Sequence, residues 1–162
     1  MKIWTALMVA TGIGLSFVLT CITPFSAIAA FAARTVSLRY AIAAVMGAWA
    51  GNQIVGFALL GYPHMPATYA WSGFMAIACL AGLAAAWPVR NVVLAFGAAF
   101  VAYEAVILAF SALTHSLADF TVAPFLTAVE ANLTGFVVLA ALRAGVTAIE
   151  RLSRARAMHA HR

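Results

Sequence analysis

The stretch that decides the fold is residues 40–63, YAIAAVMGAWAGNQIVGFALLGYP. About twenty apolar residues, each rising 1.5 Å, carry a helix across the hydrocarbon of a bilayer. Two amides, Asn52 and Gln53, lie near its middle, and amides at this depth need partners on other helices or in a cavity. Gly47 and Gly51 allow a neighbouring backbone to approach closely. The stretch therefore predicts a membrane helix with a polar pocket built around it.

The composition of the whole chain extends this prediction. Of its 162 residues, 66% are apolar and only 8% are charged, which is too little charge to cover the surface of a water-soluble domain. The net charge of +5 comes from basic residues at the ends of apolar runs and near the C-terminus, a pattern typical of contact with membrane lipid rather than nucleic acid. We predict an all-α, polytopic membrane helical bundle.

The number of spans depends on residues 3–33, which are apolar but interrupted at Pro24. Proline removes a backbone donor and disfavours helix in the residue before it, so a kink or break is expected there. One long kinked helix would give five transmembrane helices, whereas a span followed by a half-helix would give six. Cleavage of a signal peptide after residues 27–29 is a further alternative. The other predicted spans are residues 40–60, 68–87, 92–113 and 123–142.

Basic residues between the spans predict the topology. Arg34, Arg39 and Arg90 flank two of the turns, whereas the turns with His64 and Asp119 contain no Lys or Arg. The excess of Lys and Arg on the cytoplasmic side of membrane proteins therefore predicts that the first set lies inside and the second outside. Residues 1–150 form a single transmembrane domain in this interpretation, and residues 151–162 form a basic cytoplasmic tail, with helix on the inner membrane surface.

Polar residues from three predicted helices fall in one layer. Asn52, Glu104 and Glu130 each lie about seven to nine residues, or roughly 10–14 Å, from the outer end of their span. Thr127 shares a helical face with Glu130, whereas Asn132 lies about 200° around the helix and is expected to bind a neighbouring helix instead. The coincidence of depth predicts one polar site in the outer half of the membrane.

Two carboxyl groups in hydrocarbon require a cation, a proton or a hydrogen bond between them. We therefore predict a site for a small cationic or heteroaromatic solute, with amides binding its polar edges and aromatic rings stacking on it. The alternative is that the carboxyl and amide groups only brace the helices. The predicted substrate-binding residues are Asn52, Gln53, Glu104, Glu130, Trp49, Trp71, Tyr103 and Thr127.

Catalytic and cofactor motifs are missing from the sequence. It contains no nucleotide-binding loop, nucleophile elbow or metalloprotease motif. Cys21 and Cys79 are far apart and have no metal-type spacing, and His64 and His115 are isolated in predicted outer loops. We predict neither enzyme activity, nor a metal site, nor a cofactor.

The outline resembles the substrate-binding membrane subunit (S-component) of energy-coupling-factor vitamin transporters. Those subunits are small bundles of usually six helices, with a ligand site in the outer half of the membrane and both termini inside. They carry small residues spaced by four on the first helix, where the energising subunit docks. Here the pairs Ser26/Ala30 and Ala29/Ala33, in SAIAAFAA, have that form. The resemblance implies a vitamin-like substrate and a separate ATPase module.

The sequence thus predicts an uptake protein of a bacterial inner membrane that binds a small solute from outside, with its C-terminus in the cytoplasm. Two alternatives remain open. The chain could be a non-catalytic accessory subunit of a larger membrane complex, with the polar layer filled by hydrogen bonds between helices. It could also be a proton-coupled carrier in which Glu104 and Glu130 relay protons.

Overall fold

The described residues form a bundle of six α-helices. The computed structural model describes residues 2–19, 23–114 and 121–160, with side chains as far as residue 153. The predicted loop residues His115 and Asp119, and Cys21, lie outside these ranges. The helices are α1 (Lys2–Val18), α2 (Phe25–Thr35), α3 (Leu38–Ile54, continued by a π turn over Val55–Leu59), α4 (Pro66–Ala86), α5 (Val92–Leu113) and α6 (Val122–Ala160).

Helices α3 to α6 are each long and apolar enough to cross a membrane, which confirms the polytopic helical bundle. The first segment is broken rather than kinked: α1 has 17 residues, and α2 begins directly after Pro24 and has only 11. An 11-residue helix is about 16 Å long, half the hydrocarbon thickness. The break and the half-helix of the second alternative are therefore observed, whereas α1 is shorter than the four helices that are long enough to cross a membrane.

Helix α2 lies at the centre of the bundle and contacts the other five helices. Every residue from Phe25 to Ala33 is buried, because alanine and serine let neighbouring backbones approach from all sides. The small-residue pairs Ser26/Ala30 and Ala29/Ala33 therefore pack inside this chain, and each of the four residues is at most 6% exposed. They are not available as the docking surface that the resemblance implies.

The predicted basic turns lie together at one end of the bundle, which we call the basic end. Arg34 at the end of α2 donates a hydrogen bond to the carbonyl oxygen of Trp87, in the turn between α4 and α5. The indole of Trp4 donates to Thr35 at 2.7 Å, and the Arg143 guanidinium lies 5.4 Å from the centre of the Trp4 ring. The start of α1, the end of α2 and the middle of α6 thus meet at this end.

Glycines set the closest approaches between helices. A Cβ at Gly12 would lie 2.8 Å from Ile28, and one at Gly47 would lie 3.0 Å from Val9. These contacts hold α1 parallel to α3 and against α2. Helices α4 and α5 also pack closely, since a Cβ at Gly82 would lie 3.1 Å from the carbonyl oxygen of Ala99 on α5.

Helix α6 differs from the predicted last span in its length. It continues without a break through Arg143 and Arg151 to Ala160. The predicted tail therefore starts as a straight continuation of the span and not as a separate helix.

Candidate functional site

The two central amides of α3 belong to a buried hydrogen-bond network. The Asn52 side chain is 1% exposed, and its Nδ2 donates to Ser16 Oγ at 2.7 Å and to Thr23 Oγ1 at 2.9 Å. Its Oδ1 accepts from Gln53 Nε2 at 3.0 Å, and Thr23 Oγ1 donates to Ser16 Oγ at 2.8 Å. This set, the amide network, joins α1, the residue before Pro24 and α3 where the first segment breaks.

Trp49, one turn before the amide network, also makes a contact between helices. Its indole Nε1 donates to the carbonyl oxygen of Ser72 on α4 at 3.0 Å. The indole N–H thus finds a backbone acceptor on a neighbouring helix. Trp49 and Asn52 thus join α3 to other elements, and Gln53 binds Asn52 from the same helix. None of the three lines the cavity described next.

A cavity of about 320 Å³ lies between α5 and α6, with α4 and the start of α2 behind it. We call it the outer cavity, because its lining includes Ser111 near the far end of α5 and Thr121 just before α6. Its residues come from four parts of the chain: Thr23, Phe25, Trp71, Met75, Tyr103, Glu104, Ile107, Ser111, Thr121, Pro124, Phe125, Ala128 and Asn132.

Aromatic rings form much of the wall of the outer cavity. The rings of Phe25 and Tyr103 lie 5.8 Å apart, and Trp71 meets the ring of Phe110 edge-on at 4.7 Å. Phe125 on α6 lies 6.0 Å from Phe100 on α5. The cavity is thus mainly apolar and has flat surfaces against which a planar ring could stack.

Glu104 supplies the carboxyl group of the outer cavity. It lies half-buried on the inner face of α5 and lines the cavity with Ile107 and Ser111, three and seven residues later. Within the described ranges, no side chain forms a hydrogen bond or ion pair with it. A carboxyl group at membrane depth without a protein partner is a candidate ligand contact, because hydrocarbon offers it no solvation.

The two polar faces of α6 point in opposite directions. Asn132 is 3% exposed; its Oδ1 accepts from the backbone N–H of Ser26 at 3.1 Å, and its Nδ2 donates to the carbonyl of Ala128 at 3.0 Å. It therefore caps the half-helix α2, as predicted for a contact with a neighbouring helix, and it also lines the cavity. Glu130 and Thr127 are exposed on the face of α6 that points away from the other helices.

Only some of the eight predicted substrate-binding residues line the outer cavity. Trp71, Tyr103 and Glu104 line the outer cavity; the other five do not. Glu104 and Glu130 do not face each other, so the proton relay between them has no geometric support. The main residues that sequence reasoning missed are Asn132 and Thr23, and the signal was the break at Pro24, whose free helix start needs a capping acceptor.

Comparisons with known proteins give no relative for this chain: no family model matches it, and no characterised protein or solved structure is similar to it.

Proposed function

We propose that this chain is the solute-binding part of a membrane uptake system. The solute is a small organic cation with a flat ring, held in the outer cavity without chemical conversion. The observation that carries the proposal is the Glu104 carboxyl group, which lies in an aromatic cavity at membrane depth with no partner among the described side chains.

The chemistry of the lining supports a cation of this kind. A carboxylate neutralises a protonated amine, and the contact strengthens where water is scarce. Trp71 and Tyr103 offer ring faces for cation–π or stacking contacts. The Asn132 amide also lines the cavity, and its Nδ2, which donates one N–H to Ala128, has a second N–H for a polar edge of the solute.

The proposed direction of transport follows from charge. The outer cavity lies in the half of the bundle away from the basic end, and basic ends face the cytoplasm in inner-membrane proteins. The solute therefore enters from outside a bacterial inner membrane, and the C-terminus lies inside. Release into the cell requires movement of the bundle, driven by a separate energising subunit with an ATPase module.

Equilibrium dialysis of the full-length protein in detergent tests the proposal. The probe is benzylammonium, and benzyl alcohol is its neutral counterpart. We expect saturable benzylammonium binding that weakens at least about tenfold in Glu104→Gln, since contacts to a charged group contribute about 1.5–3 kcal/mol. The alcohol should bind equally to both proteins.

Glu130→Gln is the matched control, because it removes the same charge from the exposed face of α6 and should leave benzylammonium binding unchanged. Saturable binding that is equal in the wild type and Glu104→Gln would contradict the role of Glu104. No saturable binding of benzylammonium to the wild type would contradict the choice of solute class.

A second candidate function has one observation in its favour. Glu130 and Thr127 are exposed on α6, and a carboxyl group facing lipid is costly unless another helix covers it. This favours an accessory role in which a partner helix with a hydrogen-bond donor packs on that face. Stoichiometric co-purification of one membrane subunit that is lost in Glu130→Leu, with no solute bound, would support this role over uptake.

A further inference from the structure

The gap between α5 and α6 contains a second depression at the basic end. The centre of the Phe136 ring on α6 lies 4.9 Å from the ring centre of Phe96 on α5 and 5.2 Å from that of Phe31 on α2. These three rings fill the middle of the gap and separate the outer cavity from a groove of about 540 Å³. We call the latter the arginine groove, because Arg143 and Arg151 of α6 line it, together with apolar side chains that include Val92 and Ala144.

The two arginines are arranged along one face of α6. Arg143, Thr147 and Arg151 are spaced by four residues, so they lie one above another over about 12 Å of helix. No acidic residue is among the side chains that line the groove, and the described side chains form no ion pair with either guanidinium. The neighbouring Glu150 is exposed and outside the lining. The groove therefore combines positive charge with an apolar floor.

The position of the groove in the membrane indicates which class of ligand suits it. It lies where α5 begins, at the basic end of the bundle, and so at the level where lipid headgroups meet hydrocarbon. Guanidinium groups bind phosphate oxygens in a forked geometry, and basic pockets between helices on the cytoplasmic side are suited to anionic headgroups. The rings of Phe31 and Phe136 extend from the arginines toward the membrane centre, the path that an acyl chain follows.

We propose that the arginine groove binds one anionic glycerophospholipid. Arg143 and Arg151 bind its phosphodiester, and one acyl chain lies against Phe31, Phe136 and Val92. This lipid would fill the space that α5 and α6 leave between them at the basic end. The proposal does not depend on the solute proposed for the outer cavity.

Native mass spectrometry of the full-length protein in detergent tests the site. The protein is titrated with phosphatidylglycerol and, separately, with phosphatidylcholine of the same acyl chains. We expect one saturable phosphatidylglycerol adduct and at least about fivefold weaker binding in Arg151→Gln and Arg143→Gln, since each basic residue near a lipid surface contributes on this scale. Ala144→Trp, which obstructs the groove but keeps both arginines, should weaken binding similarly.

Arg90→Gln is the control, because it removes an exposed arginine at the same end but outside the groove. It should leave phosphatidylglycerol binding unchanged. Arg143 also contacts Trp4, so thermal midpoints are compared, and Arg151→Gln carries the test if Arg143→Gln unfolds. Equal binding of both lipids, an equal loss in Arg90→Gln, or displacement of phosphatidylglycerol by millimolar inorganic phosphate would overturn the proposal.

Discussion

The amide network and the outer cavity share one residue, Thr23, yet they differ in whether their polar side chains have hydrogen-bond partners within the protein. In the network, both donors of the Asn52 amide and its carbonyl oxygen bind groups of the protein. In the outer cavity, Glu104 faces a space of about 320 Å³ and has no bonded partner among the described side chains. One region is closed by its own hydrogen bonds, and the other leaves a carboxyl group facing an open space.

The difference shows what separates a brace from a site inside a membrane. A polar group in hydrocarbon must be satisfied, and a network that satisfies every member leaves nothing for a ligand to bind. The Asn52 amide holds the broken first segment to α3. The Glu104 carboxyl group faces the outer cavity instead. Changes to the first region should therefore affect stability, and changes to the second should affect binding.

The largest effect is expected from filling the outer cavity. Ala128 lines it from α6, and Ala128→Trp would occupy the space beside Glu104. We expect complete loss of saturable benzylammonium binding in equilibrium dialysis, with the folded fraction unchanged by size-exclusion chromatography. Ala141→Trp, on the exposed face of the same helix, is the control and should bind normally. Normal binding by Ala128→Trp would place the ligand site elsewhere.

A smaller effect, on stability alone, is expected in the amide network. Asn52→Leu keeps the volume but leaves the hydroxyls of Ser16 and Thr23 without the amide. We expect a loss of about 1–2 kcal/mol, seen as a fall of about 2–8 °C in the thermal midpoint in detergent. The protein that remains folded should bind benzylammonium within about twofold of the wild type, a change below 0.5 kcal/mol. A large loss of binding without loss of stability would show that Asn52 contacts the ligand.

The smallest effect is expected where the two regions meet. Asn132 caps α2 through the N–H of Ser26 and also lines the outer cavity. Asn132→Ala should cost about 1 kcal/mol of stability, the typical value of a lost cap. It should also weaken benzylammonium binding about two- to fivefold, the scale of one neutral hydrogen bond. We expect both losses in the same variant. A loss of stability with unchanged benzylammonium binding would show that Asn132 does not contact the solute.

Most of the fold could be predicted because its signals are local. The bounds of α5 match the predicted span of residues 92–113, since its apolar length and the turn with Arg90 define it. Pro24 predicted a kink or a break before α2, and the structure has the break. The length of α6 was not predictable in this way, because a helix that continues past the membrane surface through Arg143 and Arg151 has no local stop signal. The central position of α2 depends on packing from five sides, which alanine content alone does not specify.

The sequence predicted a carboxyl group and aromatic rings around one pocket, and Glu104, Trp71 and Tyr103 do line the outer cavity, but most of the other lining residues were not predicted. Helical spacing gives the depth of a polar residue and its angle relative to neighbours on the same helix. It does not give the rotation of that helix within the bundle. Glu130 and Asn132 lie on opposite faces of α6, and the sequence favoured the carboxyl group for the cavity. In the structure Asn132, and not Glu130, faces the inside of the bundle, because its side-chain oxygen accepts a hydrogen bond from the N–H of Ser26 at the start of α2. Asn52 was at a suitable depth, but its partners came from the break in the first segment.

The central claim is that Glu104, and not Glu130, lies at a site that holds a small cation. Native mass spectrometry of the protein purified gently from its own membrane tests this most directly. We predict a bound small-molecule mass on the wild type and on Glu130→Gln, and its loss from Glu104→Gln. Equal occupancy in all three proteins, or loss from Glu130→Gln alone, would contradict the account.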